Sequence, residues 1–425
     1  MKELYQGVYL DTIQSTKYKS TMLVVKFITP YSVPAASKRS LIASMIEDGS
    51  NTIKNKGVLE QKLADLYGSS LGVSVQRNGN FLEFTLTSTL VRPTLLKDIA
   101  PNLMSNWFAL IYSLLFEQSF DDTNELIVTR FKREKQLLLT RMKRRKDVKT
   151  NLVSQKLLEK IYQNDANKYL DGLGSEDVLQ ELVLADLKEE YRKIIEESLI
   201  FIAVHGEYNE HNLMTDLRTW PLSHRIADYN YTDNQIIAPK SSLALFSQDI
   251  DGKQSHLAMA YQFPFMNTLR GRVEMHMLNA IFGGLPNSLL FMEIREKQSL
   301  AYSIYSSVDF SRSLLVVFAS VDGNLIDHVM KEVEELFILM EEKIKDRSFL
   351  EEVKFTLISD HIQSRDYQDS ELYLQINRFL QATFPKDLDS YQTYIEEVEE
   401  KSLLGLLRHL KRMTSFVLKG RGSNA

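Results

Sequence analysis

The same order of elements occurs twice along these 425 residues, and that repetition constrains the fold more tightly than any figure of composition. In the first half, alternating apolar positions over 21–28 predict a strand, and a helix follows from Ser37. A second amphipathic helix spans 55–67, with Val58, Leu59, Leu63 and Leu66 on one face and Gly68 as its stop. Two alternating runs, 71–76 and 81–88, join through Arg77-Asn78-Gly79-Asn80, and Asn-Gly marks a hairpin because both residues tolerate positive φ. Long helices are then expected over 95–117 and 121–146. The second half gives a strand at 257–263, helices at 272–281 and 285–297, strands at 301–308 and 314–321, and helices at 325–344 and 349–377.

A period of roughly 200 residues implies duplication. The halves are expected at 1–220 and 243–425, joined by a polar linker, 221–242, that carries two prolines and no sustained periodicity. Hairpin-connected strands pair antiparallel, so each half is expected to be α+β, a mostly antiparallel sheet with helices packed on one face.

Composition narrows what such a chain can do. Hydrophobic residues at 44% and charged residues at 25% describe a chain able to fill a core, which excludes disordered and collagen-like classes. A net charge of -5 lacks the positive footprint of a nucleic-acid binder. No cysteine is present, so disulfides, thiolate ligands and a cysteine nucleophile are excluded. No apolar stretch approaches the ~18 residues that could span a bilayer, and the N-terminus lacks the apolar core of a secretory leader. A cytoplasmic protein without membrane partners is expected.

Metal chemistry is poorly provided for. Of eight histidines, the first is His205 and no two are three or four residues apart, so no helix offers a paired imidazole site. Gly68-Ser69-Ser70-Leu71-Gly72 matches the G-x-S-x-G pattern, but it runs from helix to strand, the reverse of the nucleophile elbow. Between Arg130 and Lys149 ten basic residues face only Glu134 and Asp147, a run that reads as a solvated helix face or as a surface for an acidic partner.

The string AIFGGLPNSLLFMEIREKQSLAYSIYS, residues 280–306, resembles the C-terminal-half signature of the pitrilysin/insulinase superfamily of zinc peptidases, which includes the mitochondrial processing peptidase. The resemblance extends to the first half. Aligned on Gly49-Ser50, SLIASMIEDGS falls on the helix that bears the inverted zinc motif H-x-x-E-H, placing Ser40 and Ser44 at the histidine positions and Ala43 at the general-base glutamate. Serine does not replace imidazole as a zinc donor, and alanine cannot take a proton from bound water. The family's third ligand, a later glutamate, aligns with Arg141, and Glu134 keeps the preceding glutamate position.

With the marks ADLYGSSLGVSV and REKQSLAY, the chain is most similar to the YmfF-like bacterial subgroup, whose members lack H-x-x-E-H. That resemblance implies two homologous halves arranged as a clamshell, and no catalytic residue, metal ligand or cofactor of this chain's own. It implies zinc only in a motif-bearing homologous partner subunit, an extended peptide as substrate, and Arg295 and Tyr302 as the substrate-holding pair. Arginine offers a fixed fork of donors and tyrosine a phenolic one, both suited to a peptide carbonyl gaining negative charge. Alternatively, Arg295 pairs with Glu293 or Glu296, Tyr302 merely packs, and the protein is a binding scaffold without proteolysis, a role the subgroup's naming links to elongation factor P modification.

Overall fold

Apolar runs and alternations set the strands. The computed structural model describes residues 2–96, 99–223, 225, 243–380 and 388–421. Six strands form one mixed sheet: β1 (Lys2–Tyr5), β2 (Val8–Gln14), β3 (Ser20–Pro30), β4 (Ser70–Asn78), β5 (Phe81–Val91) and β6 (Leu199–Gly206), in the order β1-β2-β6-β3-β5-β4. The hairpin β4–β5 turns at Gly79, φ 57°, as Asn-Gly predicts. Against β3, β5 sets Leu86 opposite Val25 and Phe84 opposite Phe27. Only β2 and β6 run parallel, and β6 is buried almost along its length.

A five-stranded sheet repeats the theme with β7 (Leu245–Asp251), β8 (Gln254–Gln262), β9 (Ser303–Asp309), β10 (Leu314–Asp322) and β11 (Lys411–Arg421), ordered β7-β11-β8-β10-β9. Here β7 and β11 are the parallel pair. The fold is α+β in two halves, with two mixed sheets.

The helices between β3 and β6 include α1 (Val33–Asp48) and α2 (Lys56–Asp65) before the β4–β5 hairpin, and α3 (Leu103–Phe116), α4 (Glu125–Asp147) and α5 (Lys149–Ile161) after it. Ser32 caps α1, its hydroxyl accepting from the Ala35 amide, and proline lies in the first turn. Where a helix was expected from 95, α3 starts only at Leu103, because Pro93 opens a separate 3-10 turn, Pro93–Leu96, and Pro101 follows. The helix expected over 349–377 is broken into Arg347–Ser364 and Gln368–Leu380.

The chain divides into two units, and both are discontinuous. One comprises the described residues within Met1–Lys143, Leu170–Asn234 and Gln368–Leu380; the other those within Arg144–Tyr169, Gln235–Tyr367 and Gln381–Ala425. Most of the linker expected at 221–242 lies outside the described residues.

In the first unit one sheet face, with Phe27 and Leu86, packs under Leu41, Trp107 and Phe131 of α1, α3 and α4. Its other face, with Val24, Ile28 and Phe201, is covered by Leu372 and Ile376 of Gln368–Leu380. The second unit buries Leu257, Met259 and Val317 against the helix Ile326–Lys345. Its opposite face, with Ala258, Phe318 and Phe416, is covered by Val153, Leu157 and Ile161 of α5. Those three side chains alone contribute on the order of 5 kcal/mol by burial. Each sheet is thus completed by one helix from the opposite half of the sequence.

Candidate functional site

Two buried ion pairs fix α1. Arg39, 2% exposed, donates to Glu190 at 2.6 Å and to Thr29 Oγ1 at 2.6 Å. At the other end Asp48 accepts from Arg130 Nε at 3.0 Å, and Arg130 also reaches the carbonyls of Ser50, Ile53 and Lys54. Burial lowers the Arg130 pKa, and the Asp48 charge opposes that shift. Gly49 closes the helix at φ 149°, where a Cβ would lie 2.2 Å from the Ile53 carbonyl oxygen, so only glycine fits.

Between these anchors lie the positions that correspond to a metal motif. Ser40 is 2% exposed and donates to the Gly172 carbonyl at 2.9 Å. The loop carrying Gly172 lies close on α1: Ser37 Oγ accepts from the Ser175 amide at 2.9 Å, and Cβ atoms at Gly172 and Gly174 would collide with β4 and Ser37. Ala43 is buried in the core. Ser44 donates back to Ser40 O at 3.2 Å, a bond internal to the helix.

Next to Ser44 opens a cavity of about 220 Å³. Its α1 wall is Ser44, Glu47 and Asp48, and α2 supplies Lys56. From α4 come Glu134, Leu137, Leu138 and Arg141. The fold therefore brings Ser44, Glu134 and Arg141 together, while Ser40 and Ala43 face away into packed surroundings. Zinc does not fit this set. Serine and alanine provide no donor at the motif, arginine repels a cation, and among the described residues no three acidic or imidazole groups gather as a ligand cluster.

Glu47, Asp48 and Lys56 were not singled out by sequence reasoning. Their only signal was position: one helical turn past Ser44, and the first turn of the next helix.

In the second unit a different site forms around the R-E-x-x-S-L-A-Y string. The helix Leu269–Asn279 passes into π-helical turns, Ala280–Gly284 and then Leu290–Lys297. Pro286 and Ser288 lie between the two turns, which is why the helix expected over 285–297 begins only at Leu290. The glycine pair has a packing reason. A Cβ on Gly283 would stand 2.7 Å from the Ser306 amide nitrogen, so the π turn could not approach β9.

Arg295 is 43% exposed at its side chain, with its guanidinium 4.8 Å over the Phe291 ring. Glu293 binds Lys297 at 2.8 Å, and Glu296 forms an exposed ion pair with Arg295, 3.9 Å from its Nε and beyond hydrogen-bond reach. Seven residues later Tyr302, 53% exposed, donates its O–H to Asp322 at 2.9 Å, and that bond together with the Asp322 charge raises its pKa. Their side chains do not bond to one another. Tyr305 stacks on Phe318 at 5.3 Å, a packing role.

Comparison with known proteins now bears on both sites. Residues 181–354 match the family described as the peptidase M16 inactive domain. Over 427 aligned positions the chain is 22% identical to the "Probable inactive metalloprotease YmfF" of Bacillus subtilis, covering 99% of this chain and 97% of that one. The chain is thus similar to the M16, or pitrilysin/insulinase, peptidases, and residues 181–354 carry that match. It is a homologue of the inactive kind, in keeping with the absence of imidazole and carboxylate at Ser40, Ala43, Ser44 and Arg141. The M16 fold is also seen in solved structures. A conserved protein from Enterococcus faecalis V583 superposes with a TM-score of 0.88 at 24% identity, covering 99% of this chain and 98% of that one. A peptidase M16 inactive domain from Pseudomonas fluorescens gives 0.75 at 15% identity, over 98% and 97%. Among the described residues, no helix of this M16 homologue is long and apolar enough to cross a membrane.

Proposed function

We propose that this chain is the substrate-holding, non-catalytic partner of a homologous M16 subunit that carries H-x-x-E-H, and that the pair cleaves short unfolded peptides or leaders in the cytoplasm. A chain without cysteine is compatible with that setting. One observation carries the reading: the positions aligned with the metal motif hold Ser40, Ala43, Ser44 and Arg141, yet Arg295 remains exposed and stacked on Phe291, with only a loose 3.9 Å ion pair to Glu296.

In this reading the partner supplies zinc, the attacking water and the general base. This chain supplies donors. The Arg295 guanidinium would bind peptide carbonyls through its Nη groups, and the Tyr302 hydroxyl, now given to Asp322, would turn to the oxygen that gains charge during attack. An extended peptide is held chiefly through its main chain, which gives grip with little demand on sequence.

The test is hydrolysis of an unstructured peptide library by the purified chain, by the motif-bearing homologue of the same genome, and by both together. Turnover is expected only in the mixture, and Arg295→Ala is expected to lower it by about a hundredfold, the scale of losing one donor to the developing oxyanion. No gain on mixing removes the shared-catalysis reading and leaves a peptide- or protein-binding scaffold, including the link to elongation factor P modification.

A further inference from the structure

The cavity beside Ser44 is lined by three carboxylates, Glu47, Asp48 and Glu134, and two cations, Lys56 and Arg141. Its three carboxylates are all engaged. Asp48 accepts from Arg130 at 3.0 Å and Arg133 at 2.5 Å, and its other oxygen takes the Lys56 amide at 3.2 Å. Glu134 is bound by Arg133 Nε at 3.0 Å. Glu47 accepts the Val73 amide of β4 at 2.9 Å, holding helix to strand. The Lys56 ammonium and the Arg141 guanidinium, on two different walls, have no acid or carbonyl partner among the described residues. Arg130 and Arg133, which lie outside the lining, thus answer Asp48 and Glu134, and the exposed Lys56 and Arg141 are left as the two cations of the lining that no acid claims.

We infer that this cavity is an anion subsite that takes a single carboxylate of a bound peptide, with Arg141 as the bidentate donor and Lys56 as the second cation. The guanidinium fork matches two carboxylate oxygens, and an ammonium adds a point charge without imposing direction. Size sets the limit on the ligand. About 220 Å³ is below the ~300–1,000 Å³ of pockets for drug-sized molecules, so it admits one side chain or one chain end. Leu137 and Leu138 provide an apolar wall for the methylenes that carry such a carboxylate. The position that the resemblance aligns with a metal ligand, Arg141, thus carries the opposite preference in charge.

The inference relies on the proposed function only for the peptide as carrier; the carboxylate follows from the cavity itself. The test uses the full-length chain and fluorescence anisotropy. Four labelled unstructured peptides carry a central Glu or Gln, each with a free or an amidated C-terminus. Wild type is expected to bind the carboxylate-bearing peptides about tenfold more tightly than the Gln amide, equivalent to one charge-assisted pair. In Arg141→Gln and in Lys56→Gln that preference should shrink to about twofold or less, with affinity for the Gln amide unchanged. A preference that follows Glu assigns the subsite to an acidic side chain, and one that follows the free terminus assigns it to the chain end. Equal binding of all four peptides overturns the inference while leaving peptide binding intact. If no peptide binds, the peptide role fails, and glutarate alone decides the site. A rise in melting temperature in wild type that is absent in Arg141→Gln upholds it, and no rise overturns it.

Discussion

Ser40 does more than lack an imidazole. Its hydroxyl is bound to the Gly172 carbonyl, and the loop from Asp171 to Ser175 lies against the side of α1 where a ligand would have to emerge. A larger side chain there meets backbone, not open cavity, and overpacking of this kind costs about 1–3 kcal/mol. Rebuilding the motif with Ser40→His, Ala43→Glu, Ser44→His and Arg141→Glu together is therefore expected to yield a less stable protein without stoichiometric zinc. Elemental analysis after dialysis against zinc measures this; one zinc per chain would show that the loop yields. The chemical deficit of Ser40, Ala43 and Ser44 was legible in the sequence, since it concerns residue type. The sealing was not, because Gly172 and Gly174 are distant in sequence and only close approach of two backbones gives them meaning.

At the scale of elements, the helix Gln368–Leu380 shows what hydrophobic period can and cannot tell. Its apolar spacing was visible, but 349–377 read as one helix, since Arg365-Asp366-Tyr367 contains neither glycine nor proline to mark the break. What stops the helix is tertiary. Gln368 is claimed by the first sheet, accepting from Ser20 Oγ at 2.7 Å and donating to the carbonyls of Ser20 and His205. The π turns before and at Arg295 were hidden for a similar reason, as a π turn has the composition of the α-helix it interrupts.

The same junction titrates. His205 is fully buried beneath this helix, its Nε2 3.1 Å from Glu371, and burial lowers its pKa below the ordinary value near 6.5 despite that carboxylate. The unfolded chain then binds the proton first, so stability is lost as pH falls through about 6.5 toward the folded value, and nothing is lost above it. Urea midpoints at pH 7.5 and 5.5 should drop in wild type and drop less in His205→Gln. Equal drops in the two proteins would assign the acid sensitivity elsewhere.

For the whole molecule, the duplication was plain in the order of elements, whereas the exchange of helices between halves was not. α5 continues a basic, amphipathic stretch that reads as part of the first half, yet Val153, Leu157 and Ile161 cover the second sheet. Periodicity reports which face of a helix is apolar and is silent on which sheet receives it. Cutting the chain where the sequence divides should therefore leave both pieces incomplete. Fragments 1–220 and 243–425, expressed separately, are expected to bind a hydrophobic dye and to melt without a cooperative transition, because each lacks the helix that covers one face of its sheet. Cooperative melting of either fragment alone would show that the borrowed helix is dispensable.

That exchange also orders events during synthesis. On the ribosome the first sheet has all six strands once Gly206 has emerged, but the helix that shields Val24, Ile28 and Phe201 is encoded at 368–380. At about 5–20 residues per second, the wait is on the order of ten to thirty seconds. The first sheet of this protein is thus committed to a long interval half-covered on the nascent chain, and its maturation is coupled to translation of residues 368–380.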